Sequence, residues 1–84
     1  MIASSYFVYI IQCAGGSLYT GITTDVARRF AEHQAGTAAR YTRSHKPIKI
    51  VYQEQCVSRS AALKREREIK KLPRWQKMRL LTKT

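Results

Sequence analysis

Residues 5–23 read SYFVYIIQCAGGSLYTGIT, two runs of β-branched and aromatic residues on either side of Ala14–Gly16. Such runs around a glycine turn predict a β-hairpin. A three-residue loop often ends in a left-handed residue, which the last glycine supplies. That loop pairs Tyr9 with Gly21, whereas a two-residue loop would put Tyr9 and Tyr19 on opposite faces. We therefore expect three loop residues and both phenols on one face of the sheet.

The rest of the chain predicts four more elements, with no repeat or linker between them. The first is a helix capped by Thr24, with Asp25 in its first turn, and ended by Gly36. The second is a strand over Ile48–Glu54 opened by Pro47, and residues 37–46 before it are a loop or short turn. The third is a helix capped by Ser58 or Ser60 and ended at Leu72, and the fourth is a last helix over Arg74–Leu81. In the strand, alternation predicts that Ile48, Ile50 and Tyr52 share one face. We expect an α+β fold, a three-stranded antiparallel sheet flanked by helices, as one domain over residues 1–84.

Positive charge is concentrated in the second half of the chain. The 84 residues carry a net charge of +11, yet residues 1–27 contain no Lys or Arg and residues 59–84 contain ten. The 44% apolar content predicts a folded chain rather than a disordered basic tail. The charge points to a polyanion, and no basic segment has the wide apolar stripe that lipid binding needs. Nucleic acid is therefore favoured over membrane or protein partners, with a basic ribosome-associated factor as the alternative.

The cysteines and the N-terminus restrict the cellular context. Cys13 and Cys56 are far apart and form no CxxC pair, and no histidine stands at zinc-finger spacing. Structural zinc is not expected, and two reduced thiols are favoured over one disulfide. The apolar run from Tyr6 to Ile11 is too short for a signal peptide or a membrane span. We expect a cytoplasmic protein with no membrane partner and no small-molecule cofactor, and the sequence leaves its oligomeric state open.

An ordered set of motifs covers nearly the whole chain. Phe7-Val8-Tyr9 and Tyr19-Thr20-Gly21 flank the glycine turn, Arg29 and His33 follow on a helix, and Glu66 stands on a later helix. This set resembles the GIY-YIG nuclease superfamily, and in particular its small single-domain bacterial branch. In that family the first segment usually begins with glycine and the second has a central aliphatic residue. Phe7 and Thr20 depart from this pattern, so the order and spacing of all the motifs carry the resemblance.

The resemblance implies metal-assisted cleavage of phosphodiester bonds by five residues. In the family the two tyrosines hold or deprotonate the attacking water, and we expect Tyr9 to be the general base with Tyr19 as its partner. Arg29 and His33 match the family's arginine and histidine. Glu66 falls where the family carries its metal-binding glutamate, which implies one Mg²⁺ or Mn²⁺ ion. A phenol has a pKa of about 10, so a nearby metal-bound water or cation has to lower the pKa of Tyr9 for ionisation at neutral pH.

Helix periodicity separates two of these residues from their charged neighbours. Arg29 borders the core-facing side of its helix, whereas Arg28 faces Glu32 in solvent. Glu66 lies on or beside an apolar stripe, whereas Glu68 lies on a basic face. An inward carboxylate has to be paired or bind a cation, so a salt bridge to an arginine is the alternative to a metal site. We expect both helices to converge on the sheet face that carries the tyrosines.

The segment from Ala39 to Pro47 interleaves basic, hydroxyl and aromatic side chains. It resembles the corresponding loop of the small bacterial branch, and such loops clamp a phosphate backbone and stack bases. A solvated loop without a binding role is the alternative. The candidate nucleic-acid-binding residues are Arg40, Tyr41, Arg43, His45, Lys46 and, on the later helix, Lys70.

Together these features favour a metal-dependent endonuclease that hydrolyses phosphodiester bonds in DNA rather than RNA, with structured DNA in repair or processing as its substrate. Many active members of the family carry an asparagine in the C-terminal part, and this chain contains no asparagine. The alternative is therefore a nucleic-acid-binding accessory module of the same fold, with weak or lost catalysis.

Overall fold

The computed structural model describes residues 5–81, so the ends of the domain expected over residues 1–84 lie outside it. Within this range the chain forms β1 (Tyr6–Cys13), β2 (Leu18–Thr23), α1 (Val26–Gln34), α2 (Arg40–Ser44), β3 (Pro47–Cys56), α3 (Arg59–Lys71) and α4 (Arg74–Leu81). The strands form one antiparallel sheet in the order β2-β1-β3. The predicted α+β fold is confirmed, with β1 as the central strand and β2 at an edge.

The β1–β2 hairpin has the predicted three-residue loop and register, with Tyr9 paired to Gly21. The loop over Ala14–Gly16 is a 3₁₀-type turn with a non-helical backbone at Gly15. It is closed by a hydrogen bond from the backbone N–H of Cys13 to the carbonyl of Ser17, at 2.8 Å. Both loop glycines have positive φ, 86° and 89°, a region that residues with a side chain rarely adopt. The glycine pair therefore makes this short connection possible.

β1 is buried on both faces because its side chains alternate between two hydrophobic clusters. On one face Val8 and Ile10 pack against Ala62 and Ile69 of α3. On the other face a second cluster, built around Tyr9, packs against α1. Burying each of the large aliphatic side chains stabilises the fold by roughly 1.5–3 kcal/mol. The sheet therefore separates α1 from α3, which determines the direction from which each helix approaches the site.

β3 does not follow the strict alternation expected for it. Tyr52 pairs with Ile10, but Ile50 pairs with the next residue of β1, so Val51 is an extra residue in the ladder. As a result Ile50 packs on the α1 side of the sheet and Tyr52 on the α3 side, while Ile48 is 50% exposed. The prediction that the three side chains share a face was wrong, because a bulge reverses the alternation beyond it.

Helix starts are determined by side chains that accept backbone hydrogen bonds. α1 is capped by Asp25, whose carboxylate accepts from the backbone N–H of Arg28 at 3.0 Å. The expected cap, Thr24, was therefore wrong by one residue. Ser58 is the cap of α3, the first of the two serines that the sequence left open. The region predicted as a loop or short turn contains the five-residue helix α2.

α4 is joined to the hairpin and to the sheet. The Nη2 atom of Arg74 donates a hydrogen bond to the carbonyl of Gly16, at 2.9 Å. Leu80 and Leu81 pack against the α3-side cluster. Trp75 lies on the outside of this helix, 59% exposed. α4 therefore covers one end of the sheet next to the hairpin loop.

Both cysteines are free thiols, as the sequence predicts: Cys13 is buried and Cys56 half-buried. Burial raises the pKa of each thiol, so neither is a reactive thiolate at neutral pH. Among residues 5–81 no helix is long and apolar enough to cross a membrane.

Candidate active site

The candidate site forms where Tyr9 of β1 lies across Gly21 of β2. A Cβ atom at Gly21 would lie 2.6 Å from the hydroxyl oxygen of Tyr9 and 2.8 Å from its Cζ atom. Glycine is therefore the residue that leaves room for the phenol to extend towards the β2 edge. Tyr19 lies on the same face, as predicted, with its Cε2 atom 3.3 Å from the same point.

His33 is wholly buried and joins Tyr9 to α2. The hydroxyl of Tyr9 lies 2.7 Å from Nε2 of His33, and Nδ1 of His33 lies 2.7 Å from the hydroxyl of Thr42. Because Thr42 donates its one hydroxyl proton to the carbonyl of Ala39, its oxygen accepts from Nδ1–H. A neutral imidazole with its proton on Nδ1 has an unprotonated Nε2. His33 therefore accepts the hydroxyl proton of Tyr9 as a hydrogen bond.

Burial controls the protonation of both partners. Burial lowers the pKa of His33, and the positive charge of Arg29 lowers it further. Burial raises the pKa of Tyr9 to about 12; Tyr19 and Glu66 add to this rise, and Arg29 opposes it. Among the protein groups, desolvation outweighs the effect of Arg29 on this pKa, and the lowering expected from a metal-bound water or cation stays a prediction. At pH 7 the pair is a neutral phenol and a neutral imidazole.

Arg29 borders the site from α1, with 36% of its side chain exposed. Its Nη1 atom lies 2.9 Å from Oε1 of Glu32, and this hydrogen bond is the main cause of its raised pKa. Arg28 is exposed, as predicted. The expectation that Glu32 faces Arg28 was wrong, since the i,i+3 pair with Arg29 takes its carboxylate. The site therefore holds a fixed cation that already has an anionic partner.

Glu66 approaches from the opposite side of the sheet. α3 packs through Ile69 on the face away from Tyr9, so the expectation that both helices converge on the tyrosine face was wrong. The side chain of Glu66 is only 18% exposed, and its Oε2 atom forms an ion pair with Nζ of Lys70 at 3.1 Å. Its charge still raises the pKa of Tyr9, which places the carboxylate within electrostatic range of that hydroxyl. Glu68 has 52% of its side chain exposed, as predicted.

The predicted nucleic-acid-binding loop is attached to the site through a stack of rings. Tyr41 stacks on His45, with ring centroids 4.0 Å apart and an interplanar angle of 6°. It also stacks on Tyr19, at 5.9 Å and 19°. The cationic side chains predicted in the same segment are exposed: Arg40, Arg43 and Lys46. The segment therefore brings both aromatic rings and positive charge to the edge of the candidate site.

Thr42 is the residue that sequence analysis missed. It lies in the segment read as a solvated or phosphate-binding loop, yet it is only 2% exposed. It stands nine residues after His33, a separation with no helical or strand periodicity. In the sequence, Thr42 is one hydroxyl side chain among exposed cations, so nothing there predicts that it contacts a buried histidine.

The acidic residues of the site suit one kind of metal ligation. Among residues 5–81 no cluster of three or more His, Cys, Asp or Glu side chains could hold a metal ion. Mg²⁺ keeps several waters and often takes one carboxylate together with substrate phosphates. Glu66 fits that donor set, in which water and substrate supply the other ligands.

Comparison with known proteins finds matches over most of the chain. The family model of the GIY-YIG catalytic domain matches residues 5–79. A UPF0213 protein of Cupriavidus necator is 55% identical over 74 residues, which are 88% of this chain and 80% of that protein. The solution NMR structure of the UPF0213 protein of Bacillus halodurans has 41% identity and a TM-score of 0.60, and covers 93% of this chain and 83% of its own. The solution NMR structure of an E. faecalis protein has 40% identity and a TM-score of 0.63, and the match covers 94% of this chain and 84% of that one.

Proposed function

Since the chain belongs to the GIY-YIG catalytic-domain family, we propose that it is an endonuclease that hydrolyses phosphodiester bonds in structured DNA. One observation supports the proposal: the phenol of Tyr9 is hydrogen-bonded to the buried imidazole of His33, and the charges of Arg29 and Glu66 both act on that phenol. The residues assigned to the reaction are Tyr9, Tyr19, Arg29, His33 and Glu66. Thr42 is added as the residue that positions His33.

The proposed reaction does not need a free phenolate. With a pKa of about 12, Tyr9 would be ionised in only about one molecule in 100,000 at pH 7. Instead, as Tyr9 takes a proton from the attacking water, its own proton passes to Nε2 of His33 along the 2.7 Å hydrogen bond. Thr42 keeps Nδ1–H oriented while His33 becomes positively charged. His33 is then the acceptor of the water proton, and Tyr9 relays that proton between water and imidazole. As the water oxygen bonds to phosphorus, the bond from phosphorus to the leaving sugar oxygen breaks, and solvent protonates that oxygen.

Arg29 and Glu66 would serve the phosphate. A planar guanidinium can bind two phosphate oxygens as negative charge grows in the transition state, and a phosphate would compete with Glu32 for Arg29. Glu66 would hold the divalent ion, Mg²⁺ or Mn²⁺, which supplies Lewis-acid stabilisation of that charge when bound. Lys70 has to release Glu66 for this role. The net charge of +11 would hold the DNA backbone against the site.

A specific observation supports the second candidate, a nucleic-acid-binding module with weak or lost catalysis. Both charged groups of the proposed chemistry are already paired within the chain, Arg29 with Glu32 and Glu66 with Lys70. The chain also contains no asparagine, which many active relatives carry in their C-terminal part. Both candidates bind nucleic acid, so only a cleavage assay separates them.

The deciding experiment incubates wild type and Glu66→Ala with branched, nicked and single-stranded DNA, with Mg²⁺, with Mn²⁺ and with a chelator. The nuclease proposal expects metal-dependent cutting that Glu66→Ala loses. Glu68→Ala is the matched control, because it removes an equal charge from the exposed side of the same helix. If wild type cuts none of these substrates, or if Glu66→Ala cuts as fast as Glu68→Ala, the binding module is the better account.

A further inference from the structure

A cavity of about 260 Å³ lies beside the candidate site, along the outer side of β2. Its lining comes from β2, α2, α3 and α4: Leu18, Tyr19, Thr20, Tyr41, Lys70 and Lys77. This volume is close to the lower end of the range for small-molecule pockets, about 300–1,000 Å³. The cavity therefore suits one flat ring system better than a longer ligand.

One part of the cavity wall is aromatic. Tyr19 and Tyr41 both line it, and their rings are offset-stacked with an interplanar angle of 19°. His45 also stacks on Tyr41, which fixes the orientation of that ring. Tyr41 remains 37% exposed, so part of this aromatic residue is accessible to a ligand. A nucleobase is the nucleic-acid component that fits such a surface, because every base has a π face.

The other polar groups of the wall suit the sugar-phosphate part of the same nucleotide. Lys70 and Lys77 both line the cavity, and each can bind a phosphate. Thr20 also lines it, 3% exposed, and its hydroxyl has no hydrogen-bond partner within residues 5–81. A buried hydroxyl without a partner is costly, and a bound ligand or water would satisfy it. Thr20 is also the residue that departs from the aliphatic position of the family motif.

The cavity is joined directly to the residues of the proposed reaction. Tyr19 forms part of its wall and also makes an edge contact with His33, with ring centroids 5.1 Å apart. Lys70 lines the cavity and also holds the carboxylate of Glu66. A phosphate bound by Lys70 would draw its ammonium away from Glu66 and free that carboxylate for a metal ion. A ligand in the cavity would therefore lie next to the phosphate being cut.

We propose that this cavity is a subsite for one unstacked base of the DNA strand being cut, in the nucleotide next to the scissile phosphate. The proposal rests on the proposed function and names its substrate class. Bases of an intact duplex are stacked and paired, and extruding one is least costly when it is unpaired or mismatched. The subsite therefore selects single strands, flaps, bulges and mismatches, and it does so with little sequence preference.

The test measures binding in a chelator, so that cleavage plays no part. Fluorescence anisotropy compares a single-stranded oligonucleotide, the same strand with abasic residues, and the blunt duplex, all at one salt concentration. We expect the unmodified single strand to bind about tenfold or more tightly than the abasic strand. Tyr41→Ala should remove that difference, whereas Tyr41→Phe, which keeps the ring, should retain it. Lys77→Ala should weaken binding of the single strand more than Lys64→Ala, which removes an equal charge from an exposed position outside the cavity.

Two outcomes overturn the subsite: equal affinity for the unmodified and abasic strands, or a base-dependent preference that survives in Tyr41→Ala. Circular dichroism of Tyr41→Ala checks that this exposed substitution leaves the fold intact. The nuclease proposal is tested separately, because cutting that depends on Glu66 can occur without any preference for a base. Conversely, base-dependent binding through Tyr41 supports the subsite even if no substrate is cut.

Discussion

The hydroxyl of Tyr9 lies 2.7 Å from Nε2 of His33, although the two residues are 24 positions apart in the chain. Both side chains are withdrawn from solvent, with 1% and 0% exposure, so a proton that moves between them does not enter bulk water. The hydroxyl of Thr42 is hydrogen-bonded to the other imidazole nitrogen, Nδ1. Each of these three side chains gives its neighbour a hydrogen-bond partner. A buried polar group left without a partner would cost about 1–3 kcal/mol. Stability and the proposed catalysis therefore depend on the same hydrogen bonds.

Thr42→Val tests the positioning role of the hydroxyl. The change keeps the side-chain shape but leaves Nδ1–H of His33 buried and unpaired, so we expect a loss of about 1–3 kcal/mol in unfolding free energy. Cleavage should fall by roughly 10- to 100-fold, because the tautomer is no longer held. Thr42→Ser should restore both. The control is Thr37→Val, because the hydroxyl of Thr37 is exposed and donates to a backbone carbonyl.

The same relay predicts the acid limb of the pH–rate profile. Burial lowers the pKa of His33, so its unprotonated Nε2 persists as the pH falls through about 6.5, the ordinary value for histidine. Activity of the wild type should therefore decline only below that pH, and stability should also be lost there, since the unfolded state binds the proton first. The relay would be contradicted if the cleavage rate already declined above pH 7 on acidification, or if this acid limb of the pH–rate profile were the same in Thr42→Val.

Ultraviolet titration of the tyrosines tests the environment of Tyr9. Its pKa is raised to about 12, whereas an unfolded tyrosine ionises near pH 10. Between these values the unfolded state binds fewer protons, so stability should fall as the pH rises from 10 to 12. Tyr9→Phe should remove the step of tyrosinate formation that occurs at the highest pH. Tyr52→Phe is the comparison, because burial and Glu54 also raise the pKa of Tyr52; a single common titration near pH 10 would refute the assignment.

Gly21→Ala tests the crossing of Tyr9 over β2. The new methyl would lie 2.6 Å from the Tyr9 hydroxyl, so the ring has to move and its hydrogen bond to His33 is lost. We expect destabilisation of about 1–3 kcal/mol together with loss of cleavage. Gly15→Ala meets no atom within 4 Å but has a φ of 86°, so it should cost roughly 1–2 kcal/mol of stability and leave cleavage unchanged. Equal cleavage by the two variants would show that the close approach has no role.

Four single substitutions separate catalysis from binding. Glu66→Ala and Arg29→Ala each change the net charge of +11 by one unit, so DNA affinity should shift by no more than about 1 kcal/mol. Cleavage should fall by about a hundredfold or more if these groups act in the transition state. Glu68→Ala and Arg28→Ala, their exposed neighbours, should cut like the wild type. If Glu66→Ala and Arg29→Ala lost affinity and cleavage in parallel, these two residues would only contribute to DNA binding.

Salt dependence tests the electrostatic part of binding. If about six phosphates are neutralised, log K should fall with log salt at a slope of about −5. Charge reversal at Arg40 or Arg43 should weaken binding more than reversal at Lys64, because α2 adjoins the site, whereas Lys64 is an exposed residue of α3 outside the cavity. A flat salt response would remove nucleic acid as the partner.

The hairpin could be predicted because its information is local. Loop length and the alternation of side chains together determine that Tyr9 pairs with Gly21, and neither depends on the rest of the chain. The same holds for α1 and α3, whose periodicity and caps predicted their ends within a residue or two. The bulge at Val51 was not predicted, because an extra residue in β3 is defined only by the register of its partner strand.

The amino-acid sequence was sufficient for the three strands, for α1, α3 and α4, and for the family, because these follow from short-range patterns. Tertiary packing alone decided that α3 lies behind the sheet, so that Glu66 approaches Tyr9 from the opposite side to Arg29. It also decided that Thr42 meets His33. The protonation of the site depends on the same packing: burial raises the pKa of Tyr9 because removal of water disfavours the charged form more than Arg29 favours it. Desolvation is a property of everything packed around an atom, and no local stretch of sequence contains it.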